Sequence, residues 1–299
     1  MASFTYGVPP FTTTTFTSTI AGTSDVISAI NAANFTIDGN GGNDTVRTSS
    51  GNDTITTGTG DDTIAAGDGN NTVTAGDGTN VITSGTGDDT ITTGTGNDRI
   101  TAGDGNNTVT AGDGTNAVTT GSGNDTITSG AGADTVNSGG GNDTITTGGS
   151  KDVISAGAGD DIVNAGAGND RITAGAGADT LTGGGGHDAF VYRNVAEALL
   201  GADTISDFNT SKADGAGEGD RLNLTGLVSG FTGLSGSQLA QLVASGHLDF
   251  SAGSGSTVIT FDSNGSASGG STGVLVTLTG VAFTSEAASV ISFADNILI

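Results

Sequence analysis

A short acidic turn, G-x-G-x-D, recurs at intervals of nine residues along the middle of the chain. Carboxylate oxygens are ligands that calcium prefers, and glycines permit the left-handed backbone that turns carbonyl oxygens toward one ion. The aspartate position is occupied by Asp44, Asp53, Asp62, Asp89, Asp98, Asp125, Asp134, Asp143, Asp152, Asp161, Asp170, Asp179 and Asp188, named here the turn aspartates. Because the turn repeats in frame, its spacing predicts a series of calcium sites. That spacing gives no support to a catalytic pair of carboxylates.

Four repeats carry asparagine instead of aspartate at this position. These turn asparagines are Asn71, Asn80, Asn107 and Asn116. In the same repeats an aspartate stands three residues earlier, and these outer aspartates are Asp68, Asp77, Asp104 and Asp113. The negative charge has moved within the turn, so all eight residues are predicted to bind calcium. Residues 66–100 and 102–136 are nearly identical, which indicates a duplication with weaker calcium binding as its predicted consequence.

A strict repeat spaces these turns and predicts the structure that supports them. Seventeen nine-residue repeats run without an insertion from Gly39 to Val191. Each turn is followed by a short strand with an apolar central residue, a position occupied by Val46, Ile55, Ile64, Val73, Ile82, Ile91, Ile100, Val109, Val118, Ile127, Val136, Ile145, Ile154, Val163, Ile172, Leu181 and Phe190. A fixed period of this kind is typical of an all-β, parallel β-helix in which neighbouring coils complete one another's core.

The repeats TGTGDDTIA (57–65), SGTGDDTIT (84–92) and SGGGNDTIT (138–146) resemble the nonapeptide G-G-x-G-x-D-x-U-x of the RTX family, in which U is a large aliphatic residue. In that family two repeats form one coil of a right-handed parallel β-roll, and each Ca²⁺ lies between stacked turns on the same side. The resemblance implies that turn carbonyls and the turn carboxylates bind calcium together. Seventeen turns allow up to about 15 Ca²⁺ ions.

Composition agrees with a calcium-dependent fold. The net charge is −25, and the chain has 7 Lys and Arg residues and no cysteine. Because coils about 4.8 Å apart lie within a Debye length of roughly 8 Å, a metal-free roll should repel itself. We therefore expect metal binding and folding to be one event. A nucleic-acid partner, disulfides and thiolate metal sites are excluded, and no apolar run is long enough to predict a membrane span.

The segments that flank the repeats predict two further domains. Residues 1–38 alternate aromatic residues with threonine, which is typical of an N-terminal cap or of an edge strand that docks on another subunit. Residues 192–299 contain longer apolar segments and predict a mostly β domain with one or two short helices, one over 237–245. This domain is similar to the target domains of type I secreted proteins, and its ending ADNILI (294–299) is similar to their uncleaved export signal. Because residues 1–20 lack the pattern of a cleaved leader, we expect a secreted protein that uses type I secretion machinery.

Three functions remain open at this point. His187 and His247 are the only histidines and lie outside any H-E-x-x-H motif, and no G-x-S-x-G is present, so an enzyme is not expected. We expect a structural protein of the cell surface or extracellular matrix, a surface-layer or filament subunit that polymerises with calcium and is anchored to a cell-surface polysaccharide. The alternatives are an ice-binding protein that uses the Thr-x-Thr pairs of alternate strands, and an accessory module of a secreted enzyme system.

Overall fold

The computed structural model describes residues 3–6, 13–17, 22–29, 34–193, 201–209, 219–224, 248–253, 256–262, 272–279 and 297–298. Regular structure within these residues consists of β-strands, which confirms the all-β parallel β-roll. No described residue belongs to a helix that could cross a membrane. The helix predicted over 237–245 lies outside the described residues. The chain divides into two compact units, Met1–Asp152 and Val153–Ile299, whereas the domain boundaries at 38/39 and 191/192 stay predictions.

The first unit contains two parallel sheets between which the chain alternates. Odd-numbered strands from β1 to β15 form one sheet and even-numbered strands from β2 to β16 the other, both in sequence order. The strands are β1 (Ser3–Tyr6), β2 (Thr13–Thr17), β3 (Val26–Ala29), β4 (Asn34–Asp38), β5 (Thr45–Arg47), β6 (Thr54–Thr56), β7 (Thr63–Gly67), β8 (Thr72–Gly76), β9 (Val81–Ser84), β10 (Thr90–Thr93), β11 (Arg99–Gly103), β12 (Thr108–Thr110), β13 (Ala117–Thr120), β14 (Thr126–Thr128), β15 (Thr135–Gly140) and β16 (Thr144–Gly149). Ile91 pairs with Val73 and Val109, so two repeats form one coil.

Each strand of the repeats buries its apolar central residue. In β6 the two threonines are exposed and Ile55 between them is fully buried, because side chains alternate between the two faces of a strand. The β-branched residues of these strands favour the extended backbone. Burial of one isoleucine contributes about 1.5–3 kcal/mol, and each strand supplies one such large side chain to the core. The predicted aliphatic stack is therefore confirmed.

A second buried column of small residues runs beside the aliphatic stack, two positions further along each repeat. Thr57, Ala66, Ser84 and Thr93 belong to it and are at most 5 % exposed. Its hydroxyl groups donate to backbone carbonyls one coil further on: Ser84 Oγ lies 2.6 Å from Ala102 O, and Thr93 Oγ1 lies 2.6 Å from Ala111 O. These bonds explain how polar side chains can occupy the core. The apolar pattern of the sequence did not reveal this column.

Glycine is required where the turns of successive coils stack most closely. Gly96 has a φ of 142°, in a region that side chains with a Cβ rarely adopt. A Cβ at this position would overlap the carbonyl oxygen of Gly78 in the preceding coil. The Gly96 N–H donates to Asp113 O at 2.8 Å, so the backbone ladder continues through the turn. The turns are thus stacked as closely as the strands.

The second unit contains the last repeats and the C-terminal strands. Its strands are β17 (Val153–Ala158), β18 (Ile162–Ala167), β19 (Arg171–Ala176), β20 (Thr180–Thr182), β21 (Ala189–Val191), β22 (Asp203–Ile205), β23 (Arg221–Asn223), β24 (Leu248–Gly253), β25 (Ser256–Asp262), β26 (Thr272–Thr279) and β27 (Ile297–Leu298). One sheet has the order β17-β19-β21-β23-β27, and the other has the order β18-β20-β22-β26-β25-β24. Pairing is parallel except for the meander β24-β25-β26. The described C-terminal residues are therefore mostly β, as predicted, and the ending ADNILI contains a strand that pairs with β23.

Candidate metal centre

The turn aspartates lie immediately before the strands and are at most 2 % exposed. In most of them one carboxylate oxygen has a structural role, because it accepts a backbone N–H from the preceding coil. Asp62 Oδ1 accepts from the N–H of Asp44 at 2.7 Å, and Asp143 Oδ1 accepts from the N–H of Asp125 at 2.8 Å. These bonds hold the carboxylates in register along each sheet. The structure therefore places them in stacked rows, as the repeat predicted.

The second oxygen of many turn aspartates is buried without a hydrogen-bond partner. This holds for Oδ2 of Asp44, Asp53, Asp62, Asp89, Asp98, Asp125, Asp134, Asp179 and Asp188. A Cβ added to Gly39 would overlap Asp44 Oδ2, so this oxygen points back over the first residue of its own turn. Burial of an unpaired charged oxygen costs several kcal/mol. Oxygen ligands that lack a donor, on a turn rich in carbonyl groups, fit a bound calcium ion, which would supply the missing positive charge.

Burial raises the pKa of these carboxyl groups. Burial raises the pKa of Asp44 to about 6. The hydrogen bond from the N–H of Asp25 lowers this pKa, and the negative charges of Asp62 and Asp25 raise it. Burial also raises the pKa of Asp134 to about 6 and that of Asp188 to about 7. Burial raises the pKa of Asp89 as well, and the nearby Ser84 hydroxyl lowers it. That hydroxyl has one proton, which the 2.6 Å bond to Ala102 O already uses, so Asp89 Oδ2 stays without a donor.

These raised values predict an inverse pH dependence for the metal-free fold. Between the ordinary pKa of 3.8 and the raised values of about 6 and about 7, the folded chain binds more protons than the unfolded chain. Stability of the metal-free fold should therefore decrease as pH rises through this window. In excess chelator, the circular dichroism signal for β-structure should be larger at about pH 5 than at about pH 8. A chelated chain that gains β-structure as pH rises would contradict the raised pKa values of these carboxyl groups.

The turn asparagines occupy the same buried rows, and the outer aspartates do not. Each turn asparagine is at most 2 % exposed and accepts a backbone N–H through Oδ1, as Asn71 does from Asp53 at 3.0 Å. Its amide nitrogen donates to carbonyl groups of its own turn. The outer aspartates are exposed; Asp68 Oδ1 accepts from the N–H and the hydroxyl of Thr86, which lower its pKa. Among the described residues, no three His, Cys, Asp or Glu side chains form a metal-binding group.

Three aspartates outside the seventeen repeats extend the rows and were missed in the sequence. Asp25, Asp203 and Asp220 are at most 3 % exposed. Asp203 Oδ1 accepts from the N–H of Asp179, and Asp220 Oδ1 accepts from the N–H of Asp188, both at 3.0 Å. They lie 24 and 32 residues after these partners instead of 18, which hides them from a search at fixed period. The sequence pattern that could have revealed them is Asp-x-apolar, which is retained in DTI (203–205) and DRL (220–222).

Protein donors satisfy the second oxygens at this C-terminal end of the rows. The Tyr192 hydroxyl donates to Asp203 Oδ2 at 2.7 Å, and the Asn209 N–H donates to Asp220 Oδ2 at 2.8 Å. Burial nevertheless raises the pKa of Asp203 to about 8, although the Tyr192 bond lowers it. These two aspartates thus differ from the turn aspartates whose Oδ2 lacks a donor. Their role is better explained as closing the rows than as binding an ion.

Comparison with known proteins agrees with this geometry. The model of the RTX calcium-binding nonapeptide repeat matches overlapping segments at 38–73, 56–91, 74–109, 83–118, 110–145, 128–163, 138–172 and 155–190. Together these segments cover residues 38 to 190, about half of the chain, and include all thirteen turn aspartates. No curated protein matches the chain. The repeat, the stacked coils and the buried carboxylate rows together show that this chain belongs to the RTX calcium-binding nonapeptide repeat family.

Proposed function

We propose that this protein is a secreted structural subunit that calcium folds and assembles at the cell surface or in the extracellular matrix. The supporting observation is the pair of buried carboxylate rows. Because many of their oxygens lack a hydrogen-bond donor, folding would depend on bound calcium. Extracellular modules of this kind bind calcium at roughly 10⁻⁴ to 10⁻³ M, so the chain would fold only after export. A structural subunit of this kind would have no catalytic activity of its own.

Export by a type I secretion system is part of this proposal. The segment ADNILI (294–299) would act as an uncleaved signal while calcium-poor cytoplasm keeps the chain unfolded. The strand β27 within it pairs with β23, so the same residues could close the sheet after export. Normal secretion of a chain that lacks residues 294–299 would count against this part of the proposal.

Assembly is supported by the position of the first two strands. β1 and β2 are the terminal strands of the two sheets of the first unit, and terminal strands offer unpaired backbone groups to another chain. The segment 1–20 that carries them alternates aromatic residues with threonine. A second copy of the chain would add at this end of the sheets, and a cell-surface polysaccharide would anchor the polymer.

Ice binding is the second candidate, and one observation favours it. The Thr-x-Thr pairs of six successive even-numbered strands stand in register on one sheet of the first unit, forming a threonine array of Thr54, Thr56, Thr72, Thr74, Thr90, Thr92, Thr108, Thr110, Thr126, Thr128, Thr144 and Thr146. Ten of these side chains are exposed and two are half-buried. Rows about 4.8 Å apart with columns about 7 Å apart make a regular surface of hydroxyl and methyl groups.

One experiment distinguishes assembly from ice binding. With calcium, the full chain should form fibres or sheets in electron micrographs, and removal of residues 1–20 should keep it monomeric without loss of β-structure. Thr90→Lys in the array and Thr119→Lys on the other sheet serve as a matched pair, since both side chains are exposed. For a structural subunit, neither lysine should alter ice growth. A calcium-loaded monomer that shapes ice crystals, and loses this activity with Thr90→Lys alone, would overturn the proposal in favour of ice binding.

A further inference from the structure

Asn71 and Asp89 are neighbours in one row and allow an atom-by-atom comparison. Asn71 Oδ1 accepts the N–H of Asp53 at 3.0 Å, and Asp89 Oδ1 accepts the N–H of Asn71 at 2.8 Å. The first side-chain oxygen has the same role in both residues. The second atom faces its own turn in Asn71, and it does so in the turn aspartate Asp44. That atom is an oxygen without a hydrogen-bond partner in Asp89 and a nitrogen in Asn71.

The nitrogen of Asn71 occupies this position with good hydrogen bonds. Nδ2 donates to Gly67 O at 3.0 Å and to Gly69 O at 2.9 Å, two carbonyl groups of its own turn. The other three turn asparagines repeat the arrangement. Asn80 reaches Gly76 O at 3.1 Å and Gly78 O at 3.4 Å, Asn107 reaches Gly103 O at 3.1 Å and Gly105 O at 3.0 Å, and Asn116 reaches Gly112 O at 3.1 Å and Gly114 O at 3.4 Å. The amide group thus gives the turn carbonyls the positive partner that a cation would otherwise supply.

The orientation of these amides is set by the hydrogen-bond network. If the Asn71 amide were flipped, its nitrogen would face the N–H of Asp53, so two donors would meet in a buried position. The amide therefore cannot turn its oxygen toward an ion without losing the backbone bond that joins the two coils. An ion at this turn would also have to displace both carbonyl bonds.

The outer aspartates do not restore a ligand to these turns. Asp68 and Asp77 are exposed, and each accepts the N–H and the hydroxyl of a threonine in the next coil, Thr86 and Thr95 respectively. Their carboxylates therefore lie on the outside of the turn, engaged with residues at its exposed positions. The buried position keeps the amide nitrogen.

We propose that the four turn asparagines hold no calcium and that their amide nitrogens substitute for the ion, so that residues 67–116 depend less on calcium than the rest of the roll. Turn aspartates and turn asparagines alternate along each row of this segment, so no two buried carboxylates are stacked neighbours there. When calcium is removed, this segment should keep more of its coils than the rest of the roll and serve as the template on which the stacked Asp turns fold. The inference rests on calcium binding by the Asp turns and is independent of assembly or ice binding.

The test uses two single-atom exchanges in the full chain. Asp89→Asn and Asn71→Asp each change only the second side-chain atom, and Asn70→Asp adds the same charge at an exposed position. Bound calcium is measured by equilibrium dialysis, and amide hydrogen exchange of β8 to β12 is measured in excess chelator. Asp89→Asn should reduce bound calcium and slow this exchange by about tenfold, whereas Asn71→Asp should accelerate it by about tenfold because it leaves a buried oxygen without a donor. Asn70→Asp should change the exchange by less than about twofold, since surface charges contribute little.

Three results would overturn the inference. The first is a loss of bound calcium in Asn71→Ala, since the amide would then be a ligand. The second is an Asn71→Asp chain that exchanges no faster than the Asn70→Asp chain in chelator. The third is equally fast exchange of β8 to β12 and of β14 to β16 in the chelated natural chain, because the latter strands follow stacked Asp turns.

Discussion

Removal of calcium should abolish most of the β-structure of this protein, and millimolar calcium should restore it. The physical reason is the row of buried carboxylate oxygens that lack hydrogen-bond donors, such as Oδ2 of Asp44, Asp62 and Asp134. Each would cost several kcal/mol if it stayed charged and unpaired, and the thin core cannot offset a series of such costs. Circular dichroism during titration with a chelator, followed by re-addition of calcium, measures the effect.

The ion itself provides the control for this prediction. Magnesium demands a smaller, octahedral site and releases its water reluctantly, so the same concentration of Mg²⁺ should restore little of the signal. Residual hydrogen-exchange protection in chelator should be confined to residues 67–116. A chelated chain that keeps its full β-signal at neutral pH would show that the carboxylate rows do not control folding.

Gly96→Ala should be among the most damaging single substitutions in the chain. The backbone at Gly96 has a φ of 142°, and a Cβ would overlap the carbonyl oxygen of Gly78 in the coil before it. The strained conformation costs about 1–3 kcal/mol, and separating two stacked turns adds a packing cost of similar size. We therefore expect the free energy of unfolding in calcium to fall by about 3 kcal/mol or more, with a higher calcium midpoint for folding. Urea unfolding and calcium titration measure these quantities.

Gly185→Ala is the matched control. Gly185 is an exposed turn glycine without a positive φ, and a Cβ there would meet no atom within 4 Å. Its substitution should change the free energy of unfolding by less than about 0.5 kcal/mol, as is usual at open surface positions. Equal losses in both variants would mean that a general effect of alanine, and not the stacking of turns, is responsible.

Much of this architecture follows from the amino-acid sequence. Every repeat contains the information for one turn and one strand: glycines that tolerate the turn, an aspartate or asparagine after them and an apolar residue two positions later, as in Gly60, Asp62 and Ile64. Because each repeat contacts mainly its counterparts 18 residues away, local patterns and the global fold agree, and a fixed period suffices to predict both. The stacking of the turns and the aliphatic stack were predicted correctly for this reason, whereas the burial of the turn aspartates was not predicted.

Features that depend on contacts between coils were not evident in the sequence. The partners Asp203 and Asp220 complete the rows after insertions of irregular length, and spacing alone does not reveal such a return of the chain. The small buried column that includes Ser84 and Thr93 has no apolar signal, since its polar groups are satisfied by carbonyls one coil away.

The repeat sequence alone was sufficient for the period, the sheets and the calcium-binding family, because these follow from residues within one turn and one strand. The roles of individual side-chain atoms required the folded chain. Asn71 and Asp89 are nearly equal in size and stand at the same repeat position, so the sequence predicted both as ligands. Their second atoms nevertheless have opposite hydrogen-bonding character: in Asn71 a nitrogen that donates to Gly67 O of its own turn, and in Asp89 an oxygen without a donor. Stacking of one coil on the next orients these atoms, and that orientation separates an internally bonded turn from one that needs an ion.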